Sequence, residues 1–206
     1  IALMNGTSMM VGLGCLAFER ARRMAKLAAV VSAMTSDALG GEPAHFDDRL
    51  FALKPHPGSR LCARWLSEHL EYDPAQGRRA HRIQDRYSLR CAPHVIGVLL
   101  DALPGIRRTL EIEINGVDDN PILDPETGDA LHGGNFYGGH VCFAMDGLKT
   151  AVANLADLLD RQLAMLCTPA FNNGLPANLV AVVGPESVVH HGFKAMQLSA
   201  SALSAE

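Results

Sequence analysis

The chain has 206 residues, with 18 Lys+Arg against 22 Asp+Glu for a formal charge of −4, and is 48% hydrophobic, 5% aromatic and 19% charged. That apolar content excludes disorder as the main state, and the length suits one domain or part of a larger one. With no basic excess a general nucleic-acid binder is excluded, and apolar stretches such as residues 9–18 are broken by Gly and fall short of the ~20 residues that span a bilayer.

Residues 8–39 lack Pro and are rich in Ala, Leu, Met and Arg, which predicts a long helix ended by Gly40-Gly41. Within it Leu16, Met24, Leu27, Val31, Met34 and Ala38 recur close to the helical period. The cationic run over residues 19–26 reads as a solvated helix face. Residues 41–58 carry three Pro and read as loop, residues 60–70 as a short amphipathic helix, and residues 72–82 as loop or ragged helix. Residues 95–114 are apolar-periodic, and Pro104-Gly105 should kink or split that helix.

Residues 115–135 are dense in Asn, Asp, Gly and Pro and form a long connection, with a small hairpin expected between Ile122-Leu123 and Ala130-Leu131. Residues 138–167 are the clearest helix: Val141, Met145, Leu148, Val152, Leu155, Leu159 and Leu163 follow steps of three and four, and Pro169 ends it. Residues 171–185 read as loop and 188–206 as the last helix. The sum is an all-α protein of long antiparallel helices in a bundle, without internal boundary, whose loops carry the unusual residues. The first residue is Ile and residues 196–206 lack a helix terminator, so both ends read as cuts inside a longer chain.

Five scattered Cys without a C-x-x-C pair imply reduced, mostly buried thiols in a cytoplasmic protein, and no signal peptide is evident. Asn5-Gly6-Thr7 fits the glycosylation pattern, which is idle without secretion. Gly12-Leu13-Gly14-Cys15-Leu16-Ala17 fits a dinucleotide-binding fingerprint, but no strand precedes it. The nine His include no H-x-x-x-H or H-E-x-x-H, so no metal site is expected, and no G-x-S-x-G elbow occurs.

Three segments are more polar than packing requires. The first is Met4-Asn5-Gly6-Thr7-Ser8, whose Asn and Thr can cap the helix that follows. The second runs from Gln84 through Asp85-Arg86-Tyr87-Ser88-Leu89-Arg90. If Tyr87 to Arg90 form a helical turn, the phenol and the guanidinium share one face, a suitable pair for a carboxylate-bearing substrate. The third joins residues 115–121 to His132-Gly133-Gly134-Asn135-Phe136-Tyr137, where Gly admits close backbone approach and Asn offers amides.

With Lys54-Pro55-His56-Pro57-Gly58, Asn115-Gly116-Val117-Asp118-Asp119-Asn120-Pro121, Gly174-Leu175-Pro176 and the Gln197 helix, these segments stand in an order that resembles the aromatic amino-acid ammonia-lyase family, over essentially all 206 residues. The family includes histidine, phenylalanine and tyrosine ammonia-lyases and related aminomutases, and Tyr87-Ser88-Leu89-Arg90-Cys91 resembles the histidine type more than the plant phenylalanine type, with bacterial tyrosine lyases similar to it as well. The resemblance implies a lyase that releases ammonia from a small aromatic amino acid to leave an α,β-unsaturated acid. It implies an electrophilic methylidene-imidazolone made from an internal Ala-Ser-Gly, which adds the substrate amine while a tyrosine removes a β-proton. It also implies a homotetramer with pockets built from more than one subunit.

Carried over by motif, Asn5 lies near the prosthetic group and substrate, Tyr87 handles a proton or supports the electrophile, and Phe136 packs beside the electrophile. Arg90 binds the substrate carboxylate, Asn120 orients the amino-acid head, and Gln84 holds the network. For each, capping or loop stabilisation is the competing role. Gly116 stands where the family usually has Ser, and Tyr137-Gly138-Gly139-His140 where it commonly has His-Gly-Gln-Pro. No Ala-Ser-Gly occurs among the 206 residues, and the resemblance places it upstream of residues 2–7. The chain is thus expected to be the central portion of the enzyme and inactive alone. An aminomutase, or a non-catalytic helical assembly module, is the alternative.

Overall fold

The computed structural model describes residues 3–76 and 82–205. The architecture is all-α, with α1 at Ser8–Ala38, α2 at Asp48–Ala52, α3 at Pro57–His69, α4 at Tyr87–Arg90, α5 at Ala92–Ile114, α6 at Gly139–Cys167 and α7 at Lys194–Ala205. Two-residue strands β1 (Ile122–Leu123) and β2 (Ala130–Leu131) pair antiparallel, Ile122 opposite Leu131 and Leu123 opposite Ala130, as the expected hairpin. Contacts gather into two compact units, Ile1–Arg23 with Ala102–Thr150 and Met24–Asp101 with Ala151–Glu206.

Several boundaries differ from the sequence reading. Pro104 lies inside an unbroken α5; its missing N–H removes one helical bond, yet twelve residues before it and ten after it remain helical. The 41–58 loop contains the 3₁₀ turn Pro43–Phe46 and α2, whose start is capped by Asp47 accepting from Arg49 N–H. Of residues 72–82, Pro74–Gln76 form a 3₁₀ turn, while 77–81 lie outside the described residues. The last helix begins at Lys194 rather than 188, because Pro185–Val189 form a separate 3₁₀ turn and Gly192 takes a φ of +53°.

The largest correction concerns α1. Its recurring Leu16, Leu27 and Met34 are 60–66% exposed, whereas Ala25, Ala28 and Ala29 are buried. Small side chains let helix axes approach, so the Ala face packs inward and the larger residues are left outside. In the unit holding the start of α1, a Cβ on Gly14 would stand 3.2 Å from Leu110 of α5 and 3.5 Å from Met145 of α6. In the other unit α3 and α5 approach so closely that a Cβ on Gly97 would lie 2.6 Å from the Ser59 backbone.

In that second unit Phe51, Leu66, Ile96, Leu99 and Leu155 are fully buried, and Leu39, Leu89 and Met165 cluster together. The segment Tyr87–Ile114 is long and apolar enough to cross a bilayer, which the sequence reading had not found. Its Ile96, Leu99, Leu103, Ile106 and Leu110 are buried within the protein instead. The five cysteines are free thiols; only Cys62 and Cys167 are buried, fewer than expected, and Cys142 is exposed. Burial pushes the Cys62 thiol up to about 12.

Candidate functional site

The six candidate residues fall three to each unit: Asn5, Asn120 and Phe136 in one, and Gln84, Tyr87 and Arg90 in the other.

In the second unit α4 is the single turn expected, and it puts Tyr87 and Arg90 on one face. The Arg90 guanidinium carbon stands 4.5 Å from the Tyr87 ring centre, a cation–π contact. Arg90 Nε donates to the Asp85 carbonyl at 3.0 Å, and its two terminal nitrogens have no partner among the described residues. Tyr87 is 74% exposed. Gln84, Tyr87 and Arg90 line a cavity of about 600 Å³, closed on its apolar side by Ala164, Met165 and Phe171. That volume is typical of a small-molecule site. Arg86, also on the lining, stacks on Phe171 with 4.3 Å between guanidinium carbon and ring centre.

The turn is anchored from below by groups the sequence reading did not single out. Asp85 is buried, and its Oδ2 accepts from Glu42 N–H at 2.6 Å while Arg82 Nε pairs with its Oδ1 at 3.0 Å. Its own N–H donates to His45 Nε2 at 3.0 Å, and that ring nitrogen stands 3.8 Å from the Asp85 carboxylate. Gln162 of α6 is 1% exposed and donates from Nε2 to the Ser88 carbonyl and to Ser32 Oγ, each at 2.9 Å. Two turns earlier than Cys167, Asp160 accepts from Ser201 Oγ at 2.9 Å and Gln197 Nε2 at 3.2 Å, and pairs with Arg161. Burial pushes the Asp160 carboxyl up, but the bonds from Arg161, Ser201 and Gln197 outweigh it and leave the group below the usual range.

In the first unit the residues before α1 are held by Asp118. Its Oδ2 accepts from Thr7 N–H at 2.5 Å, Thr7 Oγ1 at 3.0 Å and Ser8 Oγ at 3.4 Å. The helix start is thus capped by a carboxylate from residues 115–121, not by Asn5. The Thr7 backbone and side-chain bonds hold the Asp118 carboxyl below the usual range. Gly6 makes this approach possible: its φ is +71°, and a Cβ there would lie 2.6 Å from Asp118 Oδ2.

Asn5 is left exposed, its amide reaching Asp119 Oδ2 at a long 3.5 Å. Asn120 accepts from Gly133 N–H on Oδ1 at 2.9 Å, so its amide nitrogen is unspent among the described residues. Asn135 Nδ2 donates to the Val117 carbonyl at 3.1 Å, tying the third polar segment to the same loop. Phe136 is 53% exposed and has no ring partner among the described residues. A second cavity of about 310 Å³ lies beside these groups, lined by Glu113, Asp118, Asn135, Tyr137 and His140, but not by Asn120 or Phe136.

Comparison with known proteins places this arrangement among relatives. Residues 1–206 match the family model described as aromatic amino acid lyase. The histidine ammonia-lyase of Gloeobacter violaceus is 40% identical over 208 residues, which cover 100% of this chain and 40% of that protein. The crystal structure of histidine ammonia-lyase from Trypanosoma cruzi aligns with a TM-score of 0.83 at 32% identity, covering 100% of this chain and 37% of that one. The tyrosine aminomutase of Streptomyces globisporus aligns with a TM-score of 0.82 at 33% identity, covering 100% and 42%. The chain therefore spans 37–42% of the length of these relatives.

Proposed function

The chain belongs to the aromatic amino acid lyase family, and from that premise we propose that the whole protein is an ammonia-lyase acting on an aromatic amino acid, with histidine the leading substrate. The histidine preference rests on relatives such as the Gloeobacter violaceus enzyme. The observation that carries the reading is the Tyr87–Arg90 pair on one anchored turn, beside a cavity of substrate size.

Arg90 grips the substrate carboxylate through its two unspent terminal nitrogens, because a guanidinium edge matches a carboxylate bidentately. Tyr87 holds or moves a proton at its phenolic oxygen, on the same face as the Arg90 guanidinium. Asn120 orients the amino-acid head with its free amide nitrogen, and Gln84 supports the network. The family's methylidene-imidazolone, when present, supplies the electron-poor acceptor that a weakly acidic β-proton demands. Asn5 and Phe136 would hold it, and the residues fit: an amide with unspent capacity and an unpartnered aromatic face suit a flat, polar-edged group.

In this reading the chain is the central helical portion of a larger cytoplasmic enzyme. Long helices associate into a homotetramer, and the exposed Leu13, Leu16, Leu27 and Met34 along α1 support such association. The test is an ultraviolet assay of the full-length protein with histidine, tyrosine and phenylalanine. Ammonia and an α,β-unsaturated acid are expected; a β-amino acid would point to the aminomutase chemistry of the Streptomyces globisporus relative, and silence on all three would overturn the reading.

A further inference from the structure

We infer that Gln162 is a positioning residue for the Tyr87–Arg90 turn, an inference that rests on the lyase reading above. α4 ends at Arg90 and α5 starts at Ala92, with Cys91 between them. Across this break the Arg86 carbonyl accepts from Arg90 N–H, the Tyr87 carbonyl from Cys91 N–H and the Cys91 carbonyl from Val95 N–H. The Ser88 carbonyl has no such backbone donor among the described residues. Left alone it would be an acceptor without a protein partner. Gln162 Nε2 fills that vacancy at 2.9 Å.

Gln162 is suited to the task because it cannot swing. It is 1% exposed, and it exchanges two bonds with Ser32 of α1: Nε2 donates to Ser32 Oγ at 2.9 Å, and Ser32 Oγ donates to Oε1 at 3.3 Å. The Ser88 carbonyl itself fixes which end of the amide faces it, since only the nitrogen can donate to a carbonyl, and Ser32 holds the amide in that place. Ser88 stands between Tyr87 and Arg90, so a carbonyl pinned at Ser88 sets the height of both side chains relative to α6. Asp85 pins the other end of the turn, through its carbonyl to Arg90 Nε and its carboxylate to Glu42. Gln162 is not itself a lining residue of the cavity and reaches it only through the Ser88 carbonyl; it bonds to no candidate reacting group. It acts through the turn.

The test uses the full-length enzyme carrying Gln162→Met, which keeps chain length but removes the donor, and separately Ser32→Ala, which removes only the group that holds the amide in place. Steady-state kcat and KM are measured beside the melting temperature. Displacing Arg90 weakens the carboxylate grip, so Gln162→Met is expected to raise KM and lower kcat/KM by on the order of ten- to a hundred-fold. Ser32→Ala is expected to move KM in the same direction by about two- to five-fold. A merely structural role would reduce the amount of active enzyme, lowering apparent kcat and leaving KM unchanged. An active wild type with unchanged KM in the variants overturns this inference alone. If Gln162→Met does not fold, the KM of Ser32→Ala decides. A wild type silent on all three amino acids overturns the lyase reading and this inference with it.

Discussion

The two groups of candidate residues, one in each compact unit, are held by different physics. The residues before α1, including Asn5, hang on one half-exposed carboxylate, Asp118, which gathers three donors across more than a hundred residues of chain. The Tyr87–Arg90 turn rests on buried groups instead, Gln162 and Asp85, both under 4% exposed. A clamp built on an accessible charge responds to pH and salt. The Gln162 amide carries no charge and responds to neither, but it is sensitive to any loss of donor or shape. The buried clamp serves the residues assigned to grip and proton handling, where small displacements cost most.

The sharpest way to break this contrast is at the turn itself. Tyr87→Phe removes the phenolic oxygen while leaving the ring over which Arg90 stacks. We expect kcat to fall about 10²–10⁴-fold with the melting temperature unchanged, since the hydroxyl has no partner among the described residues. Near-normal turnover would remove Tyr87 from the chemistry.

A smaller effect is expected in the other group. Asp118→Asn keeps the shape but gives up the charge that caps α1, and kcat/KM should fall by about ten-fold. The Asp118 carboxyl is held below its ordinary value by the Thr7 bonds. A lowered native value means that its contribution is present above the ordinary aspartate value of about 3.9 and is lost as pH falls through the native value. An acid titration of stability should therefore show a loss in the wild type that Asp118→Asn lacks. Equal acid sensitivity of the two proteins would contradict the carboxylate clamp.

The smallest effect concerns stability alone. Asp160 is 3% exposed and is also held below its usual range, so Asp160→Asn should cost about 1–3 kcal/mol at neutral pH. Thermal unfolding should read this as a drop of several degrees, shrinking as pH falls through the native Asp160 value. KM should change far less than in the turn variants, because Asp160 reaches α7 and the cavity-lining Arg161 rather than Tyr87 or Arg90.

What could be read from the sequence follows the range of the interaction. The α4 turn, the hairpin at Ile122–Leu123 and the extent of α6 depend on neighbours a few residues apart, and the structure has them. The buried face of α1 was not legible, because Leu and Met recur with a helical period just as a core stripe would, while the Ala face that packs has no hydrophobic signature. Gln162 was invisible for a different reason. A glutamine in mid-helix reads as solvated, and its partners Ser32 and Ser88 lie 130 and 74 residues away. Asp118 sat inside a quoted motif, yet only the Gly6 turn reveals why a carboxylate is wanted there.

The account stands most directly on Arg90, and one measurement reaches it: KM and kcat of the full-length protein and its Arg90→Ala variant, in the ultraviolet assay with whichever aromatic amino acid turns over. Loss of a charge-assisted bidentate contact should raise KM by at least ten-fold and lower kcat/KM by a hundred-fold or so, with the melting temperature within a few degrees of wild type. An unchanged KM in a folded Arg90→Ala protein would show that the carboxylate is held elsewhere, and the assignment of this turn would fall.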